Sequence, residues 1–267
     1  MKNHVLIKKK IRPFNKHIEV SGDKSISIRC ILLASQAIGK SKIYNLLESE
    51  DVINTLLSIK KLGIKYKKVK NYYEIDGYGI DGFNIKKNIT INAGNSGTLA
   101  RLILGILINA KKEIKIIGDR SLSKRDFSRV TTPLAIFGAN IVTNKKKLPV
   151  KIKGSEFLRP IIFNEKLGSA QCKSSVMLAA IKTPGKTIIK AKKSRNHTEL
   201  IFKYLKIPIK VLKKKNYDFI QIDGPANFRG FDYKIPGDIS SSSFFLVLTL
   251  LTDKSKLLIK NVNVNNS

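Results

Sequence analysis

The sequence is poor in the features that mark membrane, secreted and metal-binding chains. No apolar run approaches the about 20 residues that a membrane-spanning helix needs. The longest, around "LARLILGILINA", stops short of it, and "SFFLVLTLL" is shorter still. The opening "MKNHVLIKKKIRPFNKHIEV" has basic residues but neither a long apolar segment nor a small-residue cleavage site, so a cytoplasmic chain without a secretory signal is expected. Cysteine is nearly absent. Cys30 and Cys172 sit among apolar or small residues with no CxxC or His-rich partner, which points to buried reduced thiols and against a disulfide or a metal site. Acidic residues are scarce as well: 19 Asp and Glu stand against 51 Lys and Arg, a net charge of +32. That balance favours polyanions and makes nucleic acid the first partner to test. The lysine runs "IKYKKVKNYY", "NKKKLPVKIKG" and "VLKKKNYDF", however, fall between strand-like segments, where turns and solvated faces are expected. The joint richness in Ile, Asn and Lys can also arise from base composition. No dedicated nucleic-acid partner and no membrane partner is expected.

What the chain does have is a repeat. With 267 residues, 42% of them hydrophobic, it can bury one large core or two smaller ones. Three segments end alike: "KKLGIKYKKVKNYYEIDG", "AIFGANIVTNKKKLPVKIKG" and "KYLKIPIKVLKKKNYDFIQIDG". Each reads as the end of an amphipathic helix, a strand, a basic turn and a second strand closing on Gly77, Gly154 or Gly224. The closing glycines lie 77 and 70 residues apart, a domain-sized unit rather than a solenoid module. Upstream of each ending lies another helix: "DKSISIRCILLASQAIG", "GNSGTLARLILGILINA" and "GSAQCKSSVMLAAIKTPG". Ile28, Ile31, Leu32 and Ser35 in the first, and Leu99, Leu102, Ile103 and Ile106 in the second, recur at helical spacing and predict one buried face. With the β-branched stretches "KSKIYNLL", "EIKIIGD" and "KTIIKAK" between the helices, each unit reads as β-α-β-α-β-β, and the chain as α/β.

Each unit presents small polar residues where its first helix begins. Helix starts carry unpaired N–H groups and a partial positive charge, so three brought together would form an anion-binding centre. "SGDKSISIR" lacks the GxxxxGK[ST] pattern of an NTP-binding loop, and alone it fits a capped helix start as well as a site. It nevertheless offers Lys24, Ser25 and Arg29 near one helix opening. "NAGNSGTLAR" adds Gly97, which would let backbone N–H groups approach an anion, and Arg101 one turn on. "GDRSLSKRDFSRV" holds Arg120, Lys124, Arg125 and Arg129, either a solvated face or a clamp for carboxylate or phosphate. "GSAQCKSSVMLAA" offers Ser169 and Gln171, "KSRNHTEL" offers Ser194, Arg195 and His197, and "IPGDISSSSFFLVLTLL" repeats the opening pattern at Asp238.

In this order, "SGDKSISIR", "NLLESEDVINTLLSIKKLG", "NAGNSGTLAR", "GDRSLSKR", "GSAQCKS", "SRNHTE" and "PGDISS" resemble the successive motifs of the enolpyruvyl transferase family, specifically its EPSP synthase branch. The resemblance runs from about residue 12 to the end of the chain. It implies transfer of the enolpyruvyl group of phosphoenolpyruvate to the 5-hydroxyl of shikimate 3-phosphate, with release of phosphate and without metal or organic cofactor. It implies that Lys24 touches both substrates and takes part in proton transfer. Ser25, Arg29, Ser169, Ala170, Gln171 and Ser194 would bind shikimate 3-phosphate, with Arg195 a further neighbour. Gly97, Arg125 and Gln171, together with Lys24, would bind phosphoenolpyruvate. The implied fold has two domains of three repeats each. On that basis residues 1–21 belong to the second domain, 22–237 make one complete domain, and 238–267 begin the second and stop. The complete protein would be a monomer whose partners are its two small substrates.

There are departures. Asp126 stands where the family usually has proline, which puts a negative charge beside the Arg125 clamp, and Asn196 stands where aspartate is common. Members of the family are longer, so the chain is expected to lack the acidic general base and further Lys and Arg contacts to phosphoenolpyruvate. Two other readings compete. One is a non-catalytic remnant that binds anions or nucleic acid through its charge. The other is the UDP-N-acetylglucosamine branch of the same family, which would carry Lys-Asn in the first motif and a cysteine-bearing loop, where this chain has Lys24-Ser25 and no such cysteine.

Overall fold

A computed structural model describes residues 10–265. Residues 1–9 and 266–267, the outer ends of the two flanking segments expected above, lie outside the described residues. The chain opens with β1 (Asn15–Glu19). The first unit comprises α1 (Lys24–Ala34), β2 (Ile38–Tyr44), α2 (Glu50–Lys61), β3 (Lys65–Val69) and β4 (Tyr72–Tyr78). The second comprises β5 (Ile89–Asn92), α3 (Gly97–Ile106), β6 (Ile114–Ile117), α4 (Ser128–Phe137), β7 (Asn140–Asn144) and β8 (Lys147–Lys153). The third comprises β9 (Ile162–Glu165), α5 (Ala170–Ala180), β10 (Gly185–Lys192), α6 (His197–Tyr204), β11 (Ile209–Lys213) and β12 (Tyr217–Gly224). After it come β13 (Asp232–Lys234), α7 (Ile239–Leu250) and β14 (Lys256–Lys260).

Each unit builds one four-stranded sheet, in the orders β13-β2-β4-β3, β5-β6-β8-β7 and β9-β10-β12-β11. In all three the first strand runs parallel to the second, and the other neighbours are antiparallel. The α/β class and the three repeats are therefore as expected, with one correction: the first unit has no leading strand of its own. The strand before α1 pairs in parallel with β14, from Asn15 opposite Lys256 to Glu19 opposite Lys260. That leaves the place beside β2 open, and β13, from beyond the third unit, fills it with Asp232 opposite Lys42 and Lys234 opposite Tyr44.

The first helices of the units, α1, α3 and α5, run through the middle of the molecule. The expectation of a single buried face is corrected here, since every residue of α1 from Ile26 to Ala34 is buried. In α3 only Arg101 is partly exposed, and in α5 only the first two residues are. Outer helices and sheets enclose them on all sides, which is why serines can break the apolar stripe. Ser174 Oγ donates to Ala170 O (2.6 Å) and Ser175 Oγ to Arg101 O (2.9 Å), so the buried hydroxyls are satisfied. At Gly105 a Cβ would come to 2.2 Å from Ser175 O, so α3 and α5 pack backbone to backbone there. By contrast α7 leaves Phe244 78% and Leu250 86% exposed. Among the described residues, no helix is long and apolar enough to cross a membrane.

Candidate active site

The three central helices begin with the same device. Asp23 Oδ1 accepts from Ile26 N (2.9 Å), Ser96 Oγ from Leu99 N (3.2 Å) and Ser169 Oγ from Cys172 N (3.2 Å). A cap of this kind satisfies one N–H of the first turn and leaves others directed outward. Residues at the starts of all three helices, Lys24, Gly97, Thr98 and Gln171, line one open cavity of about 250 Å³ together with Asp51, Asn95 and Arg125. All four residues expected to contact phosphoenolpyruvate thus meet at one place.

Neighbours fix the side chains around this cavity. Lys24 Nζ lies 3.0 Å from Asp51 Oδ2, and the lysine side chain remains 47% exposed. Arg125 Nη2 donates to Asn95 Oδ1 (2.9 Å). Arg101 Nη1 donates to Gln171 Oε1 (2.7 Å), and Gln171 Nε2 donates to Thr98 Oγ1 (2.9 Å), which sets the orientation of the amide. The Arg101 guanidinium lies 5.1 Å from the centre of the Phe127 ring. Burial first, and then the charges of Arg129 and Arg125, push its pKa down from the usual arginine value. At Gly97 a Cβ would meet Arg101 Nη1 at 2.9 Å and Arg125 Nη1 at 3.0 Å. The missing side chain lets two guanidinium groups close over the first turn of α3.

A second cavity of about 330 Å³ adjoins the first, with Lys24 in the wall of both. Ser25, Asp23, Arg195 and Asp238 line it. Four expected residues line neither of these cavities. Arg29 is 4% exposed, its guanidinium spent inside the protein: Nε donates to Thr198 Oγ1 (2.8 Å), Nη1 to Ser25 O (2.8 Å) and Nη2 to Ser174 Oγ (3.0 Å). Burial lowers its pKa to about 10, partly offset by Glu199. Ser169 is occupied as the cap of α5, Ala170 is the first residue of that helix, and Ser194 Oγ is buried without a hydrogen-bond partner among the described residues.

Asp126 does not act on Arg125 as its position in the sequence suggests. Its carboxylate accepts from Ser128 N (2.7 Å) and Ser128 Oγ, which holds its pKa below the usual carboxylate range and turns the charge onto the start of α4. Cys30 and Cys172 are buried thiols, as expected. Burial pushes Cys172 up to about 12, and its Sγ donates to Arg129 O, which keeps the thiol protonated. Among the described residues no His, Cys, Asp and Glu cluster has the makings of a metal site. Sequence reasoning missed Asp51, Asn95 and Thr98 as members of the site. Asn95 and Thr98 lie beside Gly97 within its motif, whereas Asp51, although inside the motif "NLLESEDVINTLLSIKKLG", is brought to Lys24 by the packing of α2 beside α1. A larger cavity of about 500 Å³, around Phe83 and Lys182, lies beyond the opposite ends of α3 and α5.

The sequence profile of the family described as EPSP synthase (3-phosphoshikimate 1-carboxyvinyltransferase) matches residues 8–267. A 3-phosphoshikimate 1-carboxyvinyltransferase of Streptococcus mutans is 40% identical over 253 residues, which cover 94% of this chain and 58% of the relative. One of Streptococcus pyogenes serotype M1 is 38% identical over 256 residues, covering 95% and 58%. The solved structure of an EPSP synthase from Acinetobacter baumannii superimposes with a TM-score of 0.85 at 32% identity, covering 95% of this chain and 57% of that one. The chain therefore spans 58% of the length of these curated relatives.

Proposed function

We propose, from the premise that this chain belongs to the EPSP synthase family, that it forms one wall of a site that transfers the enolpyruvyl group of phosphoenolpyruvate to the 5-hydroxyl of shikimate 3-phosphate. The observation that carries this reading is the convergence of Lys24, Gly97, Arg125 and Gln171 on one cavity at three helix starts, with Lys24 shared by a second cavity beside Ser25. Both substrates are anions. A wall of cations and helix N-termini concentrates them and screens their mutual repulsion.

On this reading phosphoenolpyruvate lies against Arg125, Gln171 and the first turn of α3 at Gly97. Shikimate 3-phosphate lies across Ser25, Gln171, Ser169, Ala170 and Ser194, with the buried charge of Arg29 beneath it. The hydroxyl oxygen adds to the enol carbon while the methylene carbon takes a proton. The adduct then loses phosphate and a proton from its methyl carbon, which restores the carbon–carbon double bond, now as an enol ether. Lys24, held by Asp51 between the two anions, is the group of this chain suited to move a proton. Arg125 stays charged throughout and holds its anion by paired N–H bonds. The base that takes the hydroxyl proton is assigned to polypeptide outside this chain. The reading needs no metal or cofactor, and it puts the protein in the cytoplasm as a monomer when complete.

The test joins this chain to the portion of the Streptococcus mutans relative that it does not cover and measures phosphate release. Release that requires both phosphoenolpyruvate and shikimate 3-phosphate, and that disappears in Lys24→Met, is expected. A folded chimera that binds neither substrate would refute the reading. The chain alone is expected to bind shikimate 3-phosphate weakly and to release no phosphate.

A further inference from the structure

Behind the loop that brings Arg195 to the second cavity lies an ion pair that the proposed reaction does not use. Lys173 Nζ sits 2.6 Å from Glu199 Oε1, with side chains only 1% and 5% exposed. Lys173 is one turn into α5, and Glu199 is in the first turn of α6. The same ammonium donates to the carbonyl of Ser194 (3.4 Å), in the loop that leads into α6. Alongside runs a second tie between the same helices and α1: Arg29 Nε donates to Thr198 Oγ1 (2.8 Å), which lies 2.7 Å from Ser174 Oγ.

We infer that the Lys173–Glu199 pair is a positioning element, fixing the Ser194–Arg195 backbone at the height of Ser25 so that the loop meets the phosphate ester of shikimate 3-phosphate. The inference rests on the functional reading above. Stability alone does not account for the pair. Burying both charges is costly, and apolar side chains of like volume commonly hold helices together as well or better. What an apolar pair cannot do is donate to the Ser194 carbonyl. That bond sets the direction of the peptide carrying Arg195, whose side chain lines the second cavity with Ser25. Ser194 Oγ next to it is buried without a hydrogen-bond partner among the described residues, a hydroxyl with its bonding capacity unused.

The test uses the 267-residue chain and follows the binding of shikimate 3-phosphate and of phosphoenolpyruvate by NMR titration, with a thermal melt of each variant. Lys173→Met alone strands a buried carboxylate and can unfold the chain. The deciding variant is therefore Lys173→Met with Glu199→Leu, which removes both charges. We expect the double variant to fold, to bind shikimate 3-phosphate at least about tenfold more weakly, and to keep its phosphoenolpyruvate affinity within about twofold, a split that a purely structural role does not produce. Equal retention or equal loss of both affinities overturns the inference. Should the double variant not fold, the unmodified chain decides. Saturating shikimate 3-phosphate must shift the Lys173 ammonium resonance and slow amide exchange at Ser194 and Arg195, and an unshifted resonance overturns the inference. An unmodified chain that binds no shikimate 3-phosphate refutes the functional reading itself, and the positioning role with it.

Discussion

Gly97→Ala separates the site from the fold. Gly97 is the first residue of α3 and its backbone lies outside the positive-φ region, so alanine brings no backbone strain. In a helix interior the exchange is worth about 0.5–1 kcal/mol in favour of alanine, and at the first position less, so the melting temperature should hold or rise slightly. The new Cβ would stand 2.9 Å from Arg101 Nη1 and 3.0 Å from Arg125 Nη1, closer than ordinary contact. Both neighbours are ends of side chains, but they differ in freedom. Arg125 is exposed and held by one bond to Asn95, whereas Arg101 is tied to Gln171 and lies over Phe127. Arg125 is therefore the one that yields, away from the cavity. Loss of one charge-assisted hydrogen bond to a ligand is worth about 1.5–3 kcal/mol, which is roughly a 10- to 150-fold rise in Kd for phosphoenolpyruvate. Shikimate 3-phosphate, read by Ser25 in the adjoining cavity, should change by less than about twofold. An NMR titration of both forms with each ligand measures this. Unchanged phosphoenolpyruvate affinity in a folded variant would refute the assignment of Arg125 to that ligand.

The same substitution farther along α3 should do the opposite. In Gly105→Ala the Cβ meets Ser175 O at 2.2 Å, a backbone atom that cannot step aside, and we expect a net loss of about 2 kcal/mol or more in urea unfolding; a more stable variant would contradict the packing described. Arg101→Met removes the donor to Gln171 Oε1 while still covering the Phe127 ring. Phosphoenolpyruvate should bind about 5- to 30-fold more weakly with the melting temperature little changed, and an unchanged Kd would show that Gln171 needs no such tether. Burial first, and then the charge of Arg29, holds His197 neutral down to about 4 against the ordinary 6.5. Between these values the unfolded chain binds the extra proton, so stability rises with pH across the window and is lost as pH falls, with a slope of up to about 1.4 kcal/mol per pH unit. His197→Gln should flatten that part of the urea-midpoint profile, and identical profiles would remove His197 as the cause.

The repeat and the motif order were legible because each unit carries its own turn chemistry and its own helix start. The β13 contribution was not. Three residues, "DYK", carry no pattern of their own, and their place beside β2 depends on β1 having gone to β14. Periodicity also misjudged α1. Its serines break the apolar stripe, yet a buried hydroxyl can be satisfied inside the protein, as Ser27 Oγ is by accepting from Leu47 N (3.3 Å). Arg29 stands out in the sequence as a cation near a helix opening, but no spacing rule reveals that Thr198 and Ser174, far along the chain, take two of its N–H groups. Asp126 illustrates the reverse case. Its charge was visible in the sequence, while its bond to Ser128 at the start of α4 depended on the local turn.

The central claim is that the three converging helix starts recognise the phosphate ester of one substrate and the phosphate of the other. The most direct measurement compares shikimate 3-phosphate with shikimate as ligands of this chain, following the backbone amides of Lys24, Ser25 and Arg195. The account predicts saturable shifts at these residues with the phosphorylated compound, reduced in Arg195→Ala, and none with shikimate at the same concentration. Equal binding of the two compounds, or shifts confined to the cavity around Phe83 and Lys182, would contradict it.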